Sequence, residues 1–253
     1  RIPQHLEIQA SESGGDNDVR IASIGKAGES GVLYACIVND KDRAAGRSGV
    51  GTVMGSKNLK AVCLRGTLGV QVGDGMKFME ATNAARKVLA DNAVTGEGLP
   101  TYGTQVLMNV INETGALPTK NSNEVQFDGA SKIGGEAMHE IRESDGKANL
   151  VSNSACFSCP ISCARISQID PNHFTVQGKP KYQEPSGGLE YEAAWSLGAA
   201  TGVDDLEALT YCNFVCNEQG LDPISFGSTV AAAMDMYQQG IIGDNVTDGI
   251  KLE

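Results

Sequence analysis

Three cysteines within eight residues set the tightest constraint on this chain. Ala155-Cys156-Phe157-Ser158-Cys159-Pro160-Ile161-Ser162-Cys163 has the form C-x2-C-x3-C. Pro160 has a fixed φ and no backbone N–H, so a regular helix or central strand does not run through the middle. The segment has to turn tightly, and that turn carries three thiols around one region of space. Cys36, Cys63, Cys212 and Cys216 bring the total to seven in 253 residues. An odd, clustered count argues against a secreted disulfide framework. It favours metal ligation in a reducing compartment, so a cytoplasmic location is expected.

The spacing leaves three readings open. Iron–sulfur cubanes take thiolates, and a fourth ligand often comes from elsewhere in the fold. The order here, x2 then x3, reverses the x3-then-x2 triad of radical S-adenosylmethionine enzymes. Structural zinc wants four ligands, commonly in two paired spacings. The histidines, His5, His139 and His173, offer no such pair. Inert thiols are the third possibility. Cys212 and Cys216 lie four residues apart on a helical pattern and read as a buried stripe. Cys36 and Cys63 fall in apolar strand-like runs and read as core.

The hydrophobic period changes near residue 70, which gives an α+β reading. Val19–Ile24, the continuous run Val32–Val38 and Leu59–Leu64 are strand candidates, with a glycine-rich loop from Ala44 to Gly55 between the last two. Beyond residue 72, Met76, Met79, Ala81, Val88 and Leu89 give an amphipathic helical face. A second helix follows Thr104 as N-cap and stops at Gly115. A third follows Asp204 or Asp205 and stops at Gly220. A fourth follows Ser225 or Ser228 and stops at Gly240. Residues 117–155 read as loops with a short helix near 135–143. The expected domains are 1–70, β-rich, and 71–253, mostly helical and carrying the cysteine cluster.

Composition excludes several partners. A net charge of −11 argues against a nucleic-acid backbone, which needs a basic stripe. No apolar run approaches the ~18–20 residues of a membrane span. The 41% apolar content is enough for a real core. The chain opens Arg-Ile-Pro-Gln, with neither an initiator Met nor a secretory pattern, and is read as an internal piece of a longer polypeptide.

The glycine-rich stretch runs Arg43-Ala44-Ala45-Gly46-Arg47-Ser48-Gly49-Val50-Gly51. Glycines let backbone N–H groups approach a phosphate, and arginines supply charge-assisted donors. Neither a Walker loop nor a dinucleotide fingerprint fits the spacing. A tight turn with solvated arginines accounts for the stretch equally well.

Taken together, these segments resemble one family. Ala45 through Val62, AGRSGVGTVMGSKNLKAV, resembles the signature of the tungsten-containing aldehyde:ferredoxin oxidoreductases. Supporting matches occur in family order: Ile24–Glu29, Gly115–Asn121, the cysteine cluster, Leu189–Glu192 and Gly220–Asp222. The resemblance implies a β-rich pterin-binding domain followed by helical domains. It implies a tungsten (or molybdenum) bis-pterin, a Mg2+ ion bridging the pterin phosphates, and a [4Fe-4S] cluster. Arg43, Ala44, Gly46 and Arg47 match the phosphate-binding positions, with the Ala44 carbonyl also reaching the Mg2+, and Gly49 and Gly51 belong to the same segment. Asn217, Gly220, Leu221 and Asp222 match a pterin-contacting motif. Cys156, Cys159 and Cys163 match three cluster ligands, and a fourth is expected outside this chain. Glu192 matches an active-site glutamate whose histidine partner is also expected outside it.

Two positions depart from the pattern. Asn217 stands where the motif has Asp. Tyr211 and Phe214 occupy the Glu-x-x-His positions that bridge a metal between subunits in some members, so no metal-bridged dimer is expected. The implied reaction is oxidation of an aldehyde and water to a carboxylic acid, with electrons leaving to ferredoxin or an iron–sulfur partner subunit. Two alternatives are an active-site subunit of a tungsten benzoyl-CoA reductase and a non-enzymatic iron–sulfur electron-transfer module.

Overall fold

The computed structural model describes residues 18–40 and 42–252. Its first unit is an antiparallel sheet of β1 (Arg20–Ile24), β2 (Ile37–Asn39), β3 (Arg43–Ala45) and β4 (Ala61–Leu64), in the order β3-β2-β1-β4. Val19, Ile21, Ile24, Val38 and Met54 are buried around it. Two short helices, α1 (Lys26–Glu29) and α2 (Val50–Ser56), pack against each other beside the sheet.

The glycine-rich stretch is more ordered than its sequence suggests. The expected loop from Ala44 to Gly55 contains most of β3 and nearly all of α2. Some of its glycines serve backbone contact between helices: a Cβ on Gly55 would lie 2.1 Å from the Gly28 carbonyl oxygen. The continuous strand expected over 32–38 is also shorter. Only Ile37–Asn39 is strand, and Leu33 is 84% exposed. The backbone of 32–36 is drawn off the sheet to other partners, with Ala35 N–H donating to Val32 and Cys36 N–H to Gly220. Cys36 is core as expected, whereas Cys63, on an edge strand, is exposed.

From residue 75 the chain is mainly helical. α3 (Gly75–Asp91) starts at Asp74, whose carboxylate accepts from Lys77 N–H at 3.1 Å. The helix expected there forms, but none of its residues is buried, and Met76, Met79 and Val88 on its apolar face are exposed. After a π turn come α4 (Leu99–Tyr102), a 3-10 turn over Gly103–Val106, and α5 (Leu107–Glu113). Thr104 therefore lies inside a turn and is not an N-cap. The short helix expected near 135–143 is a single 3-10 turn, Ala137–His139.

A second antiparallel sheet, unpredicted, consists of β5 (Leu150–Ser154), β6 (Ala164–Ser167) and β7 (Ser186–Gly187). The main core lies under the helical part, where Met108, Leu117, Ile133, Leu189, Leu197 and Leu209 are buried together. It is completed by α6 (Tyr191–Ala194), which runs into a π turn over Trp195–Ala199, and by α7 (Leu206–Gln219) and α8 (Pro223–Gln238). Asp205 caps α7, and Gly220 ends it at φ +70°. Asp222, and neither Ser225 nor Ser228, caps α8. Its carboxylate accepts from Ile224 and Ser225 N–H, both at 3.2 Å.

The α7–α8 corner joins the two parts. Ala35 and Leu221 form an antiparallel bridge. Cys36 N–H donates to the Gly220 carbonyl at 2.8 Å, and Asp222 N–H donates to the Tyr34 carbonyl at 3.1 Å. Gly25 and Gly220 meet backbone to backbone: a Cβ on Gly25 would sit 2.1 Å from the Gln219 carbonyl oxygen. Gly25→Ala in the full-length protein is expected to cost about 3 kcal/mol, because neither backbone can yield without breaking the bridge. Gly66→Ala, where a Cβ meets nothing within 4 Å, is the control and is expected to stay within about 0.5 kcal/mol. Chemical denaturation of both variants measures the difference.

Candidate functional site

The two sheets and the α7–α8 corner enclose one cleft, with about 800 Å³ of empty space open to solvent. β3 and the turn after it supply Arg43, Ala44, Gly46 and Arg47. The second sheet supplies Ser154, Ala164 and Arg165, and α6 brings Glu192. Asn213, Asn217 and Asp222 line it from α7 and the corner. Residues far apart in sequence are therefore gathered because the corner docks on the 34–36 segment.

Each cradle arginine faces a carboxylate. Arg43 Nη1 donates to Glu190 Oε1 at 3.1 Å, and Arg47 Nε lies 3.6 Å from Asp222 Oδ2. Burial works against the Arg43 charge, but the Glu190 hydrogen bond and charge outweigh it and raise its pKa. Asp222 is 99% buried by its 1% exposure, with its carboxylate also accepting from the Ser225 hydroxyl at 2.5 Å. Gly46 lies at the cleft with nothing within 4 Å of a Cβ position, so its backbone is open to a ligand.

Other predicted residues stand behind the cleft. Gly49 starts α2 at φ +69°, and a Cβ on it would lie 2.2 Å from the Leu33 carbonyl oxygen. Gly51 N–H donates to the Ala35 carbonyl at 2.9 Å. Gly220 and Leu221 make the joint with Ala35 and Cys36. These four hold the cradle in place and do not line it.

The three clustered cysteines sit in the loop 155–163 that closes the β5–β6 hairpin, where Ser154 pairs with Ala164. Ser158 and Ser162 take positive φ (57° and 53°), so the chain bends just before Cys159 and again before Cys163. Cys159 N–H donates to the Cys156 carbonyl at 3.0 Å. Cys156 is exposed, and Cys159 and Cys163 are half-buried free thiols. The loop rises from strands whose Ser154 and Ala164 line the cleft, and Cys156 is close enough to Arg43 to raise its pKa electrostatically. Among the described residues no three His, Cys, Asp or Glu side chains converge as ligands of a single ion. The remaining cysteines differ in character. Burial and the Asp222 charge push Cys36 up to about 11, and burial raises Cys212 and Cys216, so all three remain neutral thiols. His173 pairs with Asp205 and Thr175, and His139 Nε2 lies 2.9 Å from the Thr101 carbonyl oxygen.

Sequence reasoning missed Thr104, Glu190, Arg165 and Asn213 as site residues. Thr104 Oγ1 donates to Glu190 Oε2 at 2.7 Å and accepts from Tyr191 N–H at 2.9 Å. Arg165 is buried, and its Nη2 donates to the Leu99 carbonyl at 2.8 Å. Asn213 Nδ2 donates to the Gly187 carbonyl at 3.0 Å. No spacing signals these partners, since each contact joins distant elements.

Two family models match the chain, one on each side of the change from sheet to helix. A model described as the aldehyde ferredoxin oxidoreductase N-terminal domain matches residues 4–66, and one for domains 2 and 3 of the same family matches 80–253. The chain belongs to the aldehyde ferredoxin oxidoreductase family. A tungsten-containing aldehyde ferredoxin oxidoreductase from Pyrococcus abyssi is 43% identical over 242 residues, covering 96% of this chain and 37% of the relative. The one from Pyrococcus furiosus is 44% identical over 230 residues, covering 91% and 35%. The chain thus spans little more than a third of the length of these relatives. A more distant relative from Pyrococcus furiosus, the WOR-like subunit of an aliphatic sulfonate oxidoreductase, is 28% identical over 94% of the chain and 36% of its own length. Among solved structures, the active-site complex of a benzoyl coenzyme A reductase shares the fold, with a TM-score of 0.70 over 95% of this chain, 35% of that one, and 21% identity. Among the described residues no helix is long and apolar enough to cross a membrane.

Proposed function

We propose that the full-length protein oxidises an aldehyde with water to a carboxylic acid, releasing two electrons and two protons per turnover. A ferredoxin or an iron–sulfur partner subunit receives the electrons. The observation that carries this reading is the single cleft that brings Arg43, Arg47, Glu192, Asn217 and Asp222 together beside the cysteine loop.

The residues fit the cofactor set. Arg43 and Arg47 line the cleft with four carboxylates, Asp42, Glu190, Glu192 and Asp222, while the Arg165 guanidinium is turned to the Leu99 and Pro100 carbonyls. Such a mixture suits phosphate groups neutralised by a divalent cation, together with pterin amines that need acceptors, better than a simple anion. The open backbone at Gly46 supports phosphate approach. Cys156, Cys159 and Cys163 are free thiols on one loop that bends twice; they do not converge as the loop stands, and would serve as three cluster ligands once a cluster draws them together.

A tungsten bis-pterin and a cubane, when bound, supply the two-electron oxidation and the one-electron relay. The chain's own residues bind and orient. Arg43 and Arg47 would hold the phosphates, the Ala44 carbonyl would be available to their Mg2+, and Asp222 and Asn217 would accept from the pterin amines. The Glu192 carboxylate orients water beside the substrate carbonyl and accepts its proton.

Arg47→Ala is expected to reduce pterin and tungsten content in the purified full-length enzyme, measured against protein by metal analysis. Wild-type protein holding neither tungsten nor molybdenum would overturn the reading. Unchanged pterin content in the variant would favour a plain iron–sulfur module. Parallel assays with free aldehydes and with benzoyl-CoA separate aldehyde oxidation from ring reduction.

A further inference from the structure

We propose that Glu190 and Thr104 are positioning residues that set the Arg43 guanidinium for the phosphate end of the cofactor. The inference rests on the pterin reading above. Glu190 uses both carboxylate oxygens: Oε1 accepts from Arg43 at 3.1 Å and Oε2 from the Thr104 hydroxyl at 2.7 Å. Thr104 Oγ1 accepts in turn from Tyr191 N–H at 2.9 Å. A hydroxyl has one hydrogen, so donating to Glu190 and accepting from Tyr191 uses it in one orientation only.

This network has two anchored ends. At one end, the turn holding Thr104 is pressed on the cysteine hairpin, since a Cβ on Gly103 would lie 2.5 Å from Arg165 Nε and 2.9 Å from the Cys163 carbonyl oxygen. At the other, Glu190 is the residue from which α6 starts, and its carbonyl accepts from Ala194 N–H at 2.9 Å. The first turn of that helix carries Glu192. The Glu190 carboxylate is therefore fixed from two sides before Arg43 reaches it.

A long arginine side chain loses rotamer freedom when it clamps a ligand. Here part of that loss has already occurred, because one N–H is committed to Glu190. Arg43 remains about half exposed (53%), with further N–H donors free to take a phosphate. Glu190 thus acts through Arg43 and is distinct from Glu192, which lines the same cleft and whose carboxylate has no hydrogen-bond partner among the described residues.

The test measures cofactor retention. Full-length wild type, Glu190→Gln, Thr104→Val and Thr104→Ser are dialysed under identical conditions, and pterin, tungsten and iron are counted per protein. Glu190→Gln removes the charge and leaves one acceptor oxygen where Arg43 and Thr104 use two, and Thr104→Val removes the hydroxyl without changing shape. Both are expected to lose pterin roughly tenfold faster than wild type, with iron unchanged. Thr104→Ser restores the hydroxyl and is expected to stay near wild type. In an Arg43→Gln background, Glu190→Gln is expected to add less than about a twofold effect, because the two act as one unit.

Retention by Glu190→Gln equal to wild type overturns the proposal, as does a full, multiplying effect in the Arg43→Gln background. If Thr104→Val does not fold, Glu190→Gln and the cycle still decide. Wild-type protein without pterin would instead remove the cofactor reading, a result distinct from loaded variants that behave like wild type.

Discussion

Glu192→Gln in the full-length enzyme is expected to lower kcat by roughly 10²–10⁴-fold, the range for removal of a general acid–base group. Pterin, tungsten and iron contents should not change. Glu192 lies in the first turn of α6, exposed and lining the cleft, and among the described residues its carboxylate has no hydrogen-bond partner. A carboxylate with no partner to lose contributes little to holding the fold or the cofactor. The amide keeps the shape and removes the proton-accepting charge, so the loss should fall on kcat and not on cofactor retention. Steady-state rates with an aldehyde, set beside metal and pterin counts, provide the measurement. A kcat within about threefold of wild type would remove Glu192 from the mechanism.

That pattern is the reverse of the one expected for Glu190, only two residues away. The two glutamates of the EYE segment line one cleft, but only Glu190 is held by Arg43 and Thr104, and the sequence carries no mark of it. What was readable was local. Asp205 and Gly220 bracket α7 because capping and the left-handed end are decided within a few residues. The turn forced by Pro160 is present as the closed end of a hairpin.

What was not readable depends on tertiary contact. Thr104 has the chemistry of an N-cap, but its hydroxyl is taken by Glu190, 86 residues on. Asp222 caps α8 although two serines follow it, because Asp222 N–H is fixed by Tyr34 and its carboxylate meets the new helix first. β5, β6 and β7 are two to five residues long, too short to show a period; β5 and β6 pair across the cysteine loop, and β7 joins β6 from a later part of the chain. The α3 pattern was real as a helix but misleading as evidence of burial, since periodicity shows which face is apolar and not what covers it. The candidate site divides the same way. The motif residues were visible as a set, while the division into a lining set and a supporting set follows from the docking of Gly220–Asp222 on Tyr34–Cys36.

Cys159→Ala in the full-length protein is expected to remove most of the cluster iron and sulfide and to abolish electron delivery to the acceptor. Of the seven cysteines, Cys36, Cys212 and Cys216 are held neutral by burial, and Cys63 lies on an edge strand of the other sheet. None of them can take over as a ligand without rebuilding the fold. Cys159 is the middle thiol of the loop, reached through the positive-φ bend at Ser158 and tied by its N–H to the Cys156 carbonyl. Its removal leaves that backbone contact intact and takes away only the ligand. Arg43 and Arg47 belong to the other sheet and the turn after it, so pterin content should fall far less than iron. Phe157→Ala tests the loop itself: the ring is fully exposed, at 100%, and its loss should leave iron unchanged. Iron and sulfide analysis with the electron paramagnetic resonance spectrum of the reduced protein distinguishes the outcomes. Full iron content in Cys159→Ala would exclude the loop as the cluster site, and zinc lost in place of iron would reassign it to a structural metal.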